Sequence, residues 1–318
     1  MKAAVVKEAG APPVYDNFDT PMAGAGENLI AVKAAAISHA ARARAAGTHY
    51  SAANRYPLVP GIDGVGTLPD GRRVYFAGPR APFGSMAELS VAPNALCVPL
   101  PDEVDDVTAA AIANPAMSSW AALKLRAGLQ PGQTVLVNGA TGVAGRLAVQ
   151  IARHLGAARV IATGRDAAAL QQVRELGADA TVSLLQAEGA LEEELKTEFA
   201  RGVDVVIDYL WGRSAEQLLV AGAKAGPDGR SIRFVQLGSA SGADITLPSA
   251  VLRSSPIELL GGGLGSVSIE GLIVSVREML SAIVPAGFQI ATKAVPLAQI
   301  GQVWDAEGTA RTVLVTGA

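Results

Sequence analysis

Sulfur, aromatic rings and charge are all scarce in this chain. Its 318 residues include one cysteine, Cys97, with 4% aromatic and 17% charged residues. A single cysteine excludes an internal disulfide framework and any multi-cysteine zinc lobe. The three histidines, His39, His49 and His154, show no paired ligand spacing, so no metal is expected. No apolar run approaches the ~18–20 residues of a membrane helix. The mean hydropathy of +0.30 comes instead from alanine and valine scattered among polar residues. Met1-Lys2-Ala3-Ala4-Val5-Val6-Lys7 is charged and strand-like, unlike a leader peptide, which makes the cytoplasm the expected compartment. A net charge of −3 without a basic cluster excludes nucleic acid as the main partner.

What is present is length, apolar content and periodicity. A single core stops growing at about 250–300 residues, so two domains are expected. Residues 1–114 carry short β-type runs broken by glycine and proline: 29–34, Arg73-Val74-Tyr75-Phe76 after the Asp70-Gly71 turn, and 86–91 after Phe83-Gly84-Ser85. Little helix is expected there. From residue 115 the texture becomes strand–helix alternation. Thr134-Val135-Leu136-Val137-Asn138 reads as a strand buried on both faces. A helix over 142–154 follows, with Val143, Leu147, Ile151 and Leu155 at helical spacing. Further strands are expected at 159–163, 180–184, 203–209, 232–237 and 257–260, and helices at 167–176, 189–200 and 214–225. Such alternation means βαβ units and a parallel sheet. The tail returns to β texture, with strands at 289–295 and 312–316 around a helix at 297–305. It is expected to rejoin the first domain, giving divisions at 1–114, 115–275 and 276–318.

The most specific motif is Asn138-Gly139-Ala140-Thr141-Gly142-Val143-Ala144-Gly145, between the first parallel strand and its helix. It fits a dinucleotide fingerprint with alanine in the first glycine place. Gly142 lets the backbone of Thr141, Val143 and Ala144 approach a pyrophosphate at the helix N-terminus, and Gly145 lets the helix pack on the sheet. At the next strand end a binder of the unphosphorylated dinucleotide places an acid. Here the run is Ala162-Thr163-Gly164-Arg165-Asp166. Gly164 leaves room for a 2′-phosphate and Arg165 can grip it, which favours NADPH over NADH. Asp166 either caps the next helix or, two residues out of register, binds the ribose.

With these motifs stand Tyr56-Pro57-Leu58-Val59-Pro60-Gly61-Ile62-Asp63-Gly64-Val65-Gly66, Gly84-Ser85-Met86-Ala87-Glu88, Asn114-Pro115-Ala116-Met117-Ser118-Ser119-Trp120, Pro131-Gly132 and Arg311-Thr312-Val313-Leu314. Over essentially its full length the chain resembles the zinc-free quinone oxidoreductase branch of the medium-chain dehydrogenase/reductase superfamily. That resemblance implies an α/β fold: a Rossmann-type doubly wound parallel sheet domain (115–275) that binds NADPH, and a GroES-like β domain (1–114) that binds substrate. The segment 276–318 would return to the β domain, the active site would lie in the cleft between domains, and the protein would be a homodimer. Zinc-dependent members carry a cysteine where Ile37-Ser38-His39-Ala40 stands and a His-Glu pair where Ile62-Asp63 stands. Members of the quinone branch often have Asn at Ser38, and some set a tyrosine near Leu184 against the 2′-phosphate; Arg165 can stand in for that tyrosine.

The reaction implied is hydride transfer from NADPH to a small-molecule quinone or the β-carbon of an enone, followed by protonation. Tyr50 is a candidate donor to the developing oxyanion, or an ordinary loop tyrosine. Ser38 and Asn114 are the other catalytic candidates. His39 beside Ser38 reads as a plain loop residue. Asn114, Met117 and Ser118 fall where the resemblance puts the nicotinamide wall, although Asn114-Pro115 also reads as a turn. Leu237, Gly238, Ser239, Gly262 and Gly263 follow strands, where ligands bind open α/β sheets. Trp211 reads as packing before substrate wall, Glu192-Glu193-Glu194 as a solvated helix face, and Cys97 as a small buried side chain. A short-chain dehydrogenase is excluded because no tyrosine has Lys four residues on. A non-catalytic NADPH-binding redox sensor or structural protein of the same fold remains the alternative. A segment of a larger reductive assembly line is disfavoured, the resemblance running to both ends of the chain.

Overall fold

The computed structural model describes residues 1–48, 55–306, 308 and 310–317. The first β runs fold as β1 (Lys2–Val5), β2 (Val14–Asn17) and β3 (Glu27–Ala36), followed by α1 (His39–Ala45). Then come β4 (Asp63–Thr67), β5 (Arg73–Ala77), β6 (Leu89–Pro93) and β7 (Cys97–Pro99). The alternating stretch begins with α2 (Asp106–Ala121), β8 (Thr134–Asn138), α3 (Val143–His154), β9 (Arg159–Gly164), α4 (Ala167–Glu175) and β10 (Ala180–Ser183). It continues with α5 (Glu188–Ala200), β11 (Val205–Asp208), α6 (Gly212–Ala225), β12 (Ile232–Gln236), α7 (Ser249–Arg253) and β13 (Ile257–Gly261). The chain ends with α8 (Ile269–Ala286), β14 (Thr292–Pro296), α9 (Ile300–Val303) and β15 (Arg311–Val315).

These elements form two units. One comprises Met1–Asn114 and Val276–Ala318, the other Pro115–Ser275, and the chain passes between them within α2 and α8. In the first unit a mainly antiparallel sheet runs β14-β15-β3-β4-β5-β7, with β6 also on β3. The tail is stitched in by β15, whose Val313 pairs with Ala36 of β3. Ile30, Val32 and Phe76 form one of its cores, and Ala35, Met86, Trp304 and Leu314 another. In the second unit six parallel strands run β10-β9-β8-β11-β12-β13. Leu136, Ile161, Phe199, Leu218 and Phe234 fill the core on one face of that sheet. This is the doubly wound order in which the strand sequence reverses between β8 and β11. No described helix is long and apolar enough to cross a membrane.

Several local expectations differ from the structure. His39 opens a helix and does not lie in a loop: the Ser38 hydroxyl accepts from the Ala41 N–H at 3.0 Å and caps α1. This seven-residue Ala/Arg helix has too little apolar periodicity to be read from sequence. Asn114-Pro115 is no turn but lies inside α2. The helix tolerates the proline because residues 109–113 and Ala116 are buried; the hydroxyls of Ser118 and Ser119 donate to the Pro115 carbonyl at 3.0 Å. α8 was not anticipated, although Val276, Met279, Leu280 and Ile283 have helical spacing and are buried. In the tail the strand begins later, at Thr292, and the expected helix shrinks to a single 3-10 turn, Leu297–Gln299, followed by α9.

Inside the first unit one carboxylate is nearly sealed from water. Asp63 is 3% exposed and its Oδ2 accepts from the Tyr75 hydroxyl at 3.0 Å. Burial pushes its pKa up from 3.8 to about 6, against the opposing pull of Arg311 and of the Tyr75 hydrogen bond. The folded chain therefore binds this proton more tightly than the unfolded chain. Its contribution is fully present below the unfolded value and is lost as pH rises through the folded one. Asp63→Asn removes this titration. The unfolding free energy of the unaltered protein should fall between pH 4 and pH 7 by on the order of 3 kcal/mol more than that of the variant. Urea denaturation across that range measures the difference, and parallel pH profiles would refute it.

Candidate functional site

β8 is buried along its whole length and ends at Asn138, on the C-terminal edge of the parallel sheet. The chain then turns through Gly139 at φ +83, where a Cβ would meet Leu210 at 2.8 Å. Two bonds tie the turn to β9: the Gly139 N–H donates to Thr163 Oγ1 at 3.2 Å, and the Ala140 N–H to the Thr163 carbonyl at 2.9 Å. α3 begins at once, with Gly142 as its cap and no side chain accepting from its first turn. Its first bond closes from the Arg146 N–H to the Gly142 carbonyl, which leaves the N–H groups of Val143, Ala144 and Gly145 at the positive end of the helix dipole. The Arg146 side chain braces the loop from behind, donating to the Thr141 carbonyl at 3.0 Å and to Gln172 at 2.7 Å. This is a cradle for an anion.

The glycines of the loop have different causes. A Cβ on Gly145 would lie 2.6 Å from the Ala140 Cα, so close packing of helix on turn requires glycine there. A Cβ on Gly142 would meet nothing nearer than the Gly139 carbonyl oxygen at 3.8 Å, and Gly142 is exposed. Nothing in the protein asks for glycine at 142. Gly164 differs again. It is buried, and a Cβ there would lie 2.5 Å from the Thr141 methyl and 3.1 Å from Leu170. The space that an acidic side chain would take is filled by Thr141 and Leu170. Beyond it Arg165 is exposed, and Asp166 Oδ1 accepts from the Ala169 N–H at 2.9 Å, so Asp166 caps α4.

Beneath the loop lies a buried polar network that sequence reasoning missed. Asn138 Nδ2 donates to Asp208 Oδ1 at 2.8 Å and to Ser214 Oγ at 3.0 Å, and Asn138 Oδ1 accepts from the Thr163 hydroxyl at 2.6 Å. The Asp208 carboxylate also accepts from the N–H groups of Leu210 and Trp211 at 3.0 and 3.1 Å. Burial pushes the Asp208 carboxyl up, against those N–H donors and the Asn138 amide. Trp211 is the one described non-glycine residue at positive φ, +56, and its ring packs on Phe234 with centroids 6.5 Å apart. The available signal was a polar residue at the end of each of three apolar strands: Asn138, Thr163 and Asp208.

Other predicted residues gather on the same edge. Leu237 and Gly238 N–H groups both donate to the Asp208 carbonyl, at 2.7 and 3.2 Å, and a Cβ on Gly238 would lie 2.6 Å from the Tyr209 carbonyl oxygen. Ser239 is exposed beyond them. The Gly262 N–H donates to the Gln236 carbonyl at 2.9 Å, and Gly263 is exposed. Met117 and Ser118 are half-buried in the part of α2 that belongs to this unit. Their neighbour Ser119 shares a 2.6 Å hydrogen bond with the Tyr209 hydroxyl, and burial pushes that phenol up.

The catalytic candidates do not lie among the described residues of this unit. Ser38 and half-buried Asn114 belong to the other unit, and Tyr50 lies outside the described residues. Ser38 is 7% exposed, and its oxygen already accepts the cap bond, which leaves the hydroxyl proton to donate. Cys97 is half-buried with its thiol pushed up by burial, which suits a packed side chain better than a nucleophile. Glu192 and Glu193 pair with Lys224 and Lys196 on the helix surface. Among the described residues no cluster of three His, Cys, Asp or Glu could hold a metal.

A glycine loop at the N-terminus of α3, set where the strand order reverses, defines a nucleotide-binding α/β protein of the doubly wound type. The comparisons with known proteins narrow that class. Residues 144–278 match the family model described as zinc-binding dehydrogenase. A probable NADPH-dependent quinone reductase of Emericella nidulans is 30% identical over 99% of this chain and all of its own length. The homolog of quinone oxidoreductase-like protein 2 in Nematostella vectensis is 30% identical over 79% of this chain and 69% of its own. Among solved structures, the quinone oxidoreductase of Thermus thermophilus, described also in complex with NADPH, superimposes with a TM-score of 0.81 at 28% identity, over 99% of this chain and 100% of that one. The chain belongs to the quinone oxidoreductase branch of the medium-chain dehydrogenase/reductase superfamily.

The two loop glycines separate packing from ligand approach. Gly145→Ala should destabilise the fold by about 1–3 kcal/mol through overpacking. Gly142→Ala should leave the melting temperature within about a degree or two, since a surface change of this kind costs under ~0.5 kcal/mol. Thermal unfolding of both variants checks this, and equal losses would refute the distinction.

Proposed function

We propose that this protein is an NADPH-dependent oxidoreductase that transfers hydride, without zinc, to a quinone or an activated alkene. The observation that carries the reading is Gly142, a glycine no protein contact requires, at the uncapped N-terminus of α3. An empty Cβ position beside free N–H groups fits a pyrophosphate pressed against the backbone. In this reading Thr141, Gly142, Val143 and Ala144 hold the pyrophosphate, and Arg165, exposed beyond Gly164, binds the 2′-phosphate. Met117, Ser118, Leu237, Gly238, Ser239, Gly262 and Gly263 bound the nicotinamide half. NADPH, when bound, supplies the hydride. Residues 115–275 form the cofactor domain, and residues 1–114 with 276–318 the substrate domain.

The chain's own part in the reaction is positioning and proton supply. Ser38 can donate its remaining hydroxyl proton to an oxygen on the acceptor, with Tyr50 and Asn114 as the further donors. The places that match zinc ligands in related enzymes are otherwise engaged: the Ser38 oxygen caps α1, and Asp63 is sealed against Tyr75. β13 is an edge strand with Glu258 and Leu259 exposed, which supports pairing with a second copy as a homodimer. The medium is taken to be the cytoplasm. The second reading is a non-catalytic NADPH-binding redox sensor or structural protein of the same fold.

An NADPH-oxidation assay against a panel of quinones and enones tests the proposal. Turnover of at least one acceptor is expected. Tight NADPH binding with no turnover of any acceptor would sink the enzyme reading and leave the sensor. Arg165→Ala should weaken NADPH binding by ~1.5–3 kcal/mol, the range for a charge-assisted hydrogen bond, with NADH nearly untouched. Equal losses for both cofactors by calorimetry would refute the role of Arg165.

A further inference from the structure

The side chain of Thr141 stands where the glycine loop meets the end of β9. A Cβ built on Gly164 would lie 2.5 Å from the Thr141 methyl, 3.1 Å from Leu170 and 3.3 Å from Thr141 Oγ1. Gly164 ends β9 and is not at positive φ, so its backbone conformation does not call for glycine. Thr141 does. A β-branched side chain is stiff at χ1. The Arg146 side chain also holds the Thr141 carbonyl at 3.0 Å, and buried Leu170 closes on the same space.

The two ends of this side chain have different consequences. The methyl fills the space in which an acid at position 164 would begin. An acid at that strand end is the group that accepts from a free ribose 2′-hydroxyl. The Thr141 hydroxyl makes no hydrogen bond to a described residue, whereas the Thr163 hydroxyl is spent on Asn138. Charge around this corner favours an anion. Arg165 follows Gly164 and is exposed. Arg146 donates to two neutral oxygens, the Thr141 carbonyl and, at 2.7 Å, the Gln172 amide. The carboxylate next in sequence, Asp166, turns Oδ1 to the Ala169 N–H at 2.9 Å, at the start of α4.

We propose that Thr141 sets the choice of cofactor: its methyl shuts out the acid that would read an unphosphorylated ribose, and its hydroxyl donates to the 2′-phosphate. The first removes what favours NADH, and the second adds what favours NADPH. Hydrogen bonds to a phosphate oxygen are charge-assisted and stronger than neutral ones. The proposal rests on the reading of this loop as an NADPH site. The backbone of residue 141 keeps its place at the pyrophosphate, and the side chain adds the discrimination.

Calorimetry of NADPH and NADH binding to the full chain, with thermal unfolding, tests it. Thr141→Val keeps the methyl and the shape and removes the hydroxyl. It should weaken NADPH about 10-fold, as loss of a bond to a charged group does, and leave NADH nearly unchanged. Thr141→Ser, which keeps the hydroxyl, should bind NADPH as the unaltered protein does. Gly164→Ala should lower the melting temperature by a few degrees through overpacking, and Thr141→Ala in the same chain should restore most of the loss. Gly164→Asp alone should gain no NADH affinity, whereas Gly164→Asp with Thr141→Ala should bind NADH about 10-fold more tightly than that single variant. Equal losses of both cofactors in Thr141→Val, or no loss of either, would overturn the role of the hydroxyl. A Gly164→Ala variant as stable as the unaltered protein, or NADH binding by Gly164→Asp that ignores Thr141, would overturn the role of the methyl. An unaltered protein that binds neither nucleotide would refute the NADPH reading itself. That failure is separate, because the melting-temperature comparison still decides what the methyl excludes.

Discussion

Asn138 divides one side-chain amide among three elements. Its Nδ2 reaches Asp208 on β11 and Ser214 on α6, and its Oδ1 takes the Thr163 hydroxyl of β9. These groups are buried, so each bond must be made: a lost partner would leave an unsatisfied polar atom away from water. The network also reaches the backbone. Thr163 Oγ1 accepts from Gly139, at the start of the glycine turn, and Asp208 accepts from Leu210 and Trp211 at the start of the next loop. The two loops that flank the reversal of strand order are therefore positioned by one set of hydrogen bonds. The shape of the anion cradle depends on it.

Glycine serves three physical ends within one site. At Gly145 it allows contact between a helix and the turn before it. At Gly164 it makes way for the Thr141 methyl, and the absence of an acid there has a packing cause beside any cofactor preference. Only at Gly142 does the protein leave the space open. Geometry thus assigns separate causes to residues that a fingerprint treats alike. The unit containing α1 is organised differently. There a buried carboxylate, Asp63, stands in the β core and accepts from the Tyr75 hydroxyl.

Much of this was legible before any coordinates. Strands such as Thr134–Asn138 and Val205–Asp208 are continuous apolar runs bounded by helical patterns, and that alternation leaves few topologies to choose from. The anion cradle was legible too, because strand, glycine turn and helix are contiguous. α1 was not: its seven residues are held by the Ser38 cap and by packing of Ala41 and Ala45, not by an apolar stripe. Asn114-Pro115 misled because proline weakens a helix locally, while the buried alanines around it outweigh that loss.

Sequence alone determined the class of fold, the place of the cradle and the cap role open to Asp166, since each is set by residues within a few positions of one another. Tertiary structure decided what depends on residues far apart in the chain. Asn138 meets Asp208 across 70 positions, and Tyr75 reaches Asp63 only because β4 and β5 pair in one register. It also decided which glycine answers to packing and which does not. That distinction rests on what fills the space beside each Cα, which the order of residues does not record.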